Sequence, residues 1–197
     1  VIADAIQLRG RLEQKALEEE ELTGNYIRPI VLFQAQPKNN EDNTTFGKIK
    51  DILLKIGIPE EQIAIKTSEK NDLKNVDLLS RACEVRYIIT VNALKEGWDN
   101  PNVFQICTLK NSDNETKKRQ EVGRGMRLCV NQKGERQDAD VLGDHVFDTN
   151  ILTVIASESY DDFAKKLQTE MAEACADRPI TITANLFEGR SYTMADG

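Results

Sequence analysis

Residues 86–104, RYIITVNALKEGWDNPNVF, decide how this chain folds. Residues 87–91 lack the polar alternation of a strand with one wet face, so they read as a strand buried on both sides. A strand of that kind belongs in a parallel sheet, and the turn after it leaves the carboxyl end, where such sheets hold their ligands. The turn carries Gly97, the chain's only tryptophan, Trp98, and Asp99. Gly97 allows a tight backbone turn. Asp99 can accept hydrogen bonds from both hydroxyls of a ribose, or it can cap the turn through its own backbone ahead of Asn100 and Pro101. Trp98 either packs, with its indole N–H on one partner, or stacks on a base.

Outward from this segment, strands and helices alternate. Residues 2–20 place Ile2, Ile6, Leu8, Leu12 and Leu17 among charged helix formers, which predicts an amphipathic helix. IVLFQ (30–34), between Pro29 and Pro37, is a buried strand. After the polar loop at 37–45, Phe46, Ile49, Ile52, Leu53 and Ile56 recur at helical spacing until GIP (57–59) stops the helix. QIAIK (62–66) is a short strand, 71–84 reads as helix, 102–109 as strand, 114–129 as helix and 149–157 as strand. A closing helix at 159–176 has Phe163, Leu167, Met171 and Cys175 four residues apart, and ITITANLF (180–187) suggests a strand leading elsewhere. The alternation implies an α/β domain with a mainly parallel sheet covered on both faces. The domain runs over 1–175, and a following region starts at 176.

Composition sets the class. Hydrophobic residues make up 40% and charged residues 30%, the balance of an ordinary soluble globular protein. No apolar run approaches the roughly 18 residues that cross a bilayer. The four cysteines form no CxxC pair, and the single His145 cannot complete a usual zinc site with them, so no metal site is expected. Reduced thiols imply a cytoplasmic protein. A net charge of -7 speaks against nucleic acid only weakly. The acid gathers in EQKALEEEEL (13–22), whereas basic residues gather in KKRQEVGRGMR (117–127) and IKTSEK (65–70), and the local field decides binding. The chain starts at Val1 without an initiator Met and ends in ADG, which reads as a piece of something longer.

In QEVGRGMRLC (120–129), Gln120, Arg124 and Arg127 stand at i, i+4 and i+7. At about 100° per residue, a helix puts them within roughly 60° of arc. Val122, Met126 and Cys129 then fall opposite and anchor the helix to the sheet. Gly123 and Gly125 each cost about 1 kcal/mol relative to Ala inside a helix. They can serve close approach by backbone or ligand, with the two guanidinium groups presented to an anion. The other reading is a basic surface helix with a fraying end.

Together, VNALKEGWD (91–99) and QEVGRGMR (120–127) resemble motifs V and VI of superfamily 2 helicases: a strand with a Gly-x-Asp turn, then Gln-x-x-Gly-Arg-x-x-Arg. RPIVLFQAQP, YIITVNALKEGWDNP, RQEVGRGMRL and NILTVIASESYDDFAKKLQTE resemble more closely the restriction (Res) subunit of type III restriction-modification enzymes, from about Ile2 to Met171. The resemblance implies a three-layer RecA-like domain, the second lobe of a DNA translocase coupled to a nuclease, with ATP and Mg²⁺ held mainly by the first lobe. It places Gly97 and Asp99 on the ribose and phosphate side of the nucleotide, and Gln120 and Gly123 near the phosphates. Arg124 and Arg127 become the arginine fingers. Gln34, Lys66, Thr67, Thr90 and Asn92, on loops after three strands, become DNA-backbone contacts. Double-stranded DNA, the first lobe, a nuclease domain and a methyltransferase (Mod) subunit are the implied partners, and no membrane is implied.

The sequence departs from the superfamily where many members have Thr-Asp and Arg-Gly, for it has Val91-Asn92 and Glu96-Gly97. A phosphate contact by a threonine at 91 is excluded, and Thr90 is the substitute. No GxxxxGK[ST] phosphate loop, Asp-Glu magnesium box or nuclease constellation appears, so the chain alone is not expected to hydrolyse ATP or cut DNA. The second lobe of another superfamily 2 DNA or RNA translocase, and a non-motor module binding anions or a partner, are the alternative readings.

Overall fold

Five segments form the centre of the molecule, three of them buried at every position. In the computed structural model, which describes residues 1–36, 45–91, 100–109, 115–123, 125–155 and 158–176, they are β1 (Ile30–Gln34), β2 (Ile63–Lys66), β3 (Tyr87–Thr90), β4 (Val103–Thr108) and β5 (Thr153–Ile155). They join in one sheet, in the order β2-β3-β1-β4-β5. Every pairing is parallel. β1 is buried at each position, as expected of a central parallel strand.

One face of the sheet presents Val31, Phe33, Ile63, Ile65, Tyr87, Ile89 and Cys107 to Ala5 of helix α1 (Ile2–Thr23) and to Ile49 and Leu53 of α2 (Phe46–Lys55). α1 stops at Gly24, whose φ of 72° is the left-handed conformation that lets its N–H reach back to Glu20 O at 2.8 Å. α2 starts where the Thr45 hydroxyl accepts from Lys48 N–H at 3.4 Å. The opposite face, with Ile30, Leu32, Ala64, Ile88, Val103 and Ile106, is covered by Leu73, Leu78, Val85 and Leu152. The result is three layers in an α/β, RecA-like arrangement.

The covering segment 71–85 is not the helix that its sequence suggests. Its backbone closes three-residue turns, Val76 N–H to Leu73 O at 3.3 Å and Cys83 N–H to Ser80 O at 3.0 Å. Asn71 and Asp77 accept from the N–H groups two residues on, at 3.3 and 3.0 Å, and Asn75 adopts a φ of 61°. Such local side-chain bonds compete with the helical ladder. Carbonyls of the segment also accept from Arg28, which is 1% exposed and donates to Ser80 O at 2.5 Å and to Cys83 O. The guanidinium groups of Arg28 and Arg81 both lie over the Tyr26 ring, at 5.5 and 4.2 Å from its centre, and its hydroxyl donates to Glu13 at 2.7 Å. Burial and the Glu13 carboxylate push that phenol well above its usual range.

Beyond β4 come α3 (Glu115–Gly123), α4 (Ala139–Leu142) and α5 (Val146–Thr149), and then α6 (Glu158–Ala176). Val1–Ser159 forms one compact unit and Tyr160–Gly197 a second, in which most of α6 is the described part. The strand expected at 180–187 lies outside the described residues. No helix among the described residues is long and apolar enough to cross a membrane.

Candidate functional site

Register brings four polar side chains into one row. Lys66 pairs with Thr90, Thr90 with Gln34, and Gln34 with Thr108. All four follow by two residues the apolar Ala64, Ile88, Leu32 and Ile106, so they share that face of the sheet at its carboxyl end. With strands about 4.8 Å apart, the row spans roughly 15 Å. Chain direction diverges between β1 and β4, since the connection after β1 runs to one side of the sheet and that after β4 to the other. The crevice where open α/β sheets take ligands is therefore bordered by Gln34 and Thr108.

Gln34, Thr90 and Thr108 are buried, Lys66 is half-buried, and the row is not saturated. Gln34 is 4% exposed, and its Oε1 accepts from Thr108 Oγ1 at 2.8 Å. The Thr90 hydroxyl is buried and has no hydrogen-bond partner among the described residues. Lys66 donates from Nζ to Asn71 Oδ1 at 3.3 Å. Thr67 is differently placed, because its hydroxyl accepts from Glu69 N–H at 3.2 Å and from Lys70 N–H at 2.9 Å and so closes a turn. Sequence reasoning thus named three members of the row and missed Thr108, whose place depends on a pairing with β1 that no local pattern encodes.

A second cluster lies at the amino end of the same sheet. α3 turns Lys118 and Val122 inward and leaves Gln120 and Gly123 exposed. The helix ends at Gly123, so Arg127 is not on its face, and Met126, expected to anchor it, is 44% exposed. Gly125 is buried, and a Cβ there would lie 2.5 Å from Leu152 Cδ1, so that glycine admits a neighbouring side chain rather than a ligand. At Gly123 an added Cβ would meet nothing within 4 Å. Beyond the exposed stretch that follows Gly125, Cys129 N–H donates to Asn150 Oδ1 at 2.8 Å. Val130 then exchanges two bonds with Asn102, each at 2.9 Å. Residues 126–128, with Arg127 exposed in the middle, are therefore held on both sides against the amino ends of β4 and β5. Burial pushes the Cys129 thiol up to about 12, so this segment carries a neutral thiol.

Asn102 and Thr108 are separated by six steps of extended chain, roughly 20 Å. The Arg127 segment and the Gln34 row are thus two separate places on one sheet. Asn92, Gly97, Trp98, Asp99 and Arg124 lie outside the described residues.

No protein-family model matches the chain. Individual proteins do. The Res subunit of the type III restriction-modification enzyme EcoPI, from Escherichia phage P1, is 58% identical over 55 residues, 28% of this chain and 6% of that protein. The EcoP15I Res subunit of Escherichia coli gives the same figures, 58% over 55 residues. Over that stretch the chain is similar to type III Res subunits. The StyLTI Res subunit of Salmonella typhimurium strain LT2 adds 53% over 51 residues, 26% of this chain and 5% of its own length. The aligned stretch therefore covers only a small part of each Res subunit.

Proposed function

We propose that the chain is the second RecA-like lobe of the ATP-driven motor of a type III restriction endonuclease. Its carboxyl-end row would meet the backbone of double-stranded DNA, and its Arg127 segment would face a nucleotide held mainly by a first lobe. The observation that carries this reading is identity of 53–58% to three Res subunits over stretches of 51 to 55 residues, in a chain whose described sheet is wholly parallel. Lys66 would neutralise a phosphate, while Gln34 Nε2 and the Thr90 hydroxyl would donate to phosphate oxygens, contacts that fix register without reading bases.

Exposed Gln120 and Arg127 are the donor types that a polyphosphate requires, and bound ATP would supply the phosphoryl group whose transfer drives movement. Arg127, with Arg124, would place its guanidinium against charge developing on that group. In this reading Mg²⁺ is held mainly by the first lobe; among the described residues no group of three or more His, Cys, Asp or Glu could hold a metal ion. In this reading the same polypeptide continues into that lobe and a nuclease domain, and works with a Mod subunit.

The test is DNA-stimulated ATP turnover by the full-length protein. Arg127→Ala and Arg124→Ala should each lower kcat by about 10³-fold or more, with DNA affinity kept. Unchanged turnover in both variants would overturn the assignment.

A further inference from the structure

Asn102 does more than begin a strand. It is 1% exposed, its own N–H donates to Asn100 Oδ1 at 2.8 Å, and its carbonyl accepts from Ile30 N–H at 3.1 Å. That fixes its backbone to the amino end of β1. Its side chain then treats Val130 as a strand neighbour would, donating from Nδ2 to the carbonyl and accepting the N–H at Oδ1. Asn150 does the complementary work one residue earlier. It accepts Cys129 N–H at Oδ1 and donates from Nδ2 to Gln137 O at 2.9 Å and Val146 O at 3.2 Å. Leu152 closes the other side against Gly125.

These contacts leave little freedom to the three residues between them. A stretch from a glycine seated under Leu152 to two amides held by asparagines presents Met126, Arg127 and Leu128 to solvent while its two ends are fixed to β1, β4 and the approach to β5. We infer that Asn102 is a positioning residue for Arg127, holding the arginine's backbone in register with the central strands at the height from which its guanidinium would meet the anion. The inference rests on the nucleotide reading of Arg127 given above. Preorganisation of this kind acts on the charge that develops during reaction, so its loss lowers kcat and leaves ground-state nucleotide affinity nearly intact.

The experiment is a double-mutant cycle in the full-length protein, combining Asn102→Ala with Arg127→Ala. Steady-state ATP turnover is measured with saturating DNA, per folded molecule, well below each variant's melting temperature. Asn102→Ala should lower kcat by about tenfold to 10²-fold, as misplacement of a reacting group by about 1 Å does, with KM for ATP within about twofold. In the Arg127→Ala background the same substitution should cost nothing further, because it acts through that arginine. Should Asn102→Ala fail to fold, Asn102→Asp takes its place, since it keeps the acceptor for Val130 N–H. If Arg127→Ala abolishes turnover and the Asn102 variant keeps full kcat, or if the two losses multiply, Asn102 is a structural staple only. If Arg127→Ala has no effect, the nucleotide reading fails and the positioning role with it.

Discussion

At the amino end of the sheet the asparagines bond through both the nitrogen and the oxygen of their amides, whereas at the carboxyl end polar groups of similar burial do not. Asn102 and Asn150 each donate and accept through the side chain, and every partner is backbone. In the carboxyl-end row, Gln34 uses its oxygen on Thr108, and Thr90 buries a hydroxyl with no partner among the described residues. A saturated network stabilises a conformation and removing one partner exposes the full desolvation cost of the other, while a buried group left without a partner is a cost that a bound ligand can offset. The contrast separates residues that hold a shape from residues with bonding capacity to spare, and it divides the two clusters more sharply than charge does.

That division can be broken by measurement. The largest effect on stability is expected at the saturated end: Asn102→Leu leaves both the N–H and C=O of Val130 without their partner and should cost about 2–4 kcal/mol in urea unfolding. A loss below about 0.5 kcal/mol would mean that water replaces both bonds freely. Within the row, Thr108→Val and Thr90→Val should diverge. The first removes the donor to Gln34 and should cost about 1 kcal/mol, while the second removes a hydroxyl without a partner and should be neutral or slightly stabilising. Both should weaken DNA binding, and equal destabilisation by the two would erase the distinction drawn here. The smallest effect on the fold is expected for Lys66→Gln, within about 0.5 kcal/mol, yet it should lower the salt dependence of DNA binding by about one unit of slope. An unchanged slope would remove Lys66 from the interface.

Most of the architecture was legible because the strands are mainly apolar, with no regular polar alternation, and the helices α1, α2 and α6 keep apolar residues at helical spacing. The 71–84 segment misled because Leu73, Leu78 and Val85 do face the sheet, but Asn71 and Asp77 bond to their own backbone and Arg28 supplies the donors that a helix would have provided. The helix expected over 114–129 stops early for a related reason. Gly125 N–H closes back on Val122 O at 2.9 Å, and beyond it the N–H groups of Cys129 and Val130 are held by Asn150 and Asn102, 21 and 28 residues away in the chain. The candidate row shows the same limit. Gln34, Lys66 and Thr90 could be named from their places at strand ends, yet their alignment with one another, and with Thr108, is a property of sheet register that no short window contains.

The seat of Gly125 under Leu152 has an evolutionary corollary. With the methyl of an alanine arriving 2.5 Å from a leucine Cδ1, an alanine at 125 obliges the Leu152 side chain to move. Relatives that acquire a side chain at 125 should carry a smaller or differently branched residue at 152, so that the pair covaries and the exposed arginine loop keeps its height above the sheet through the exchange.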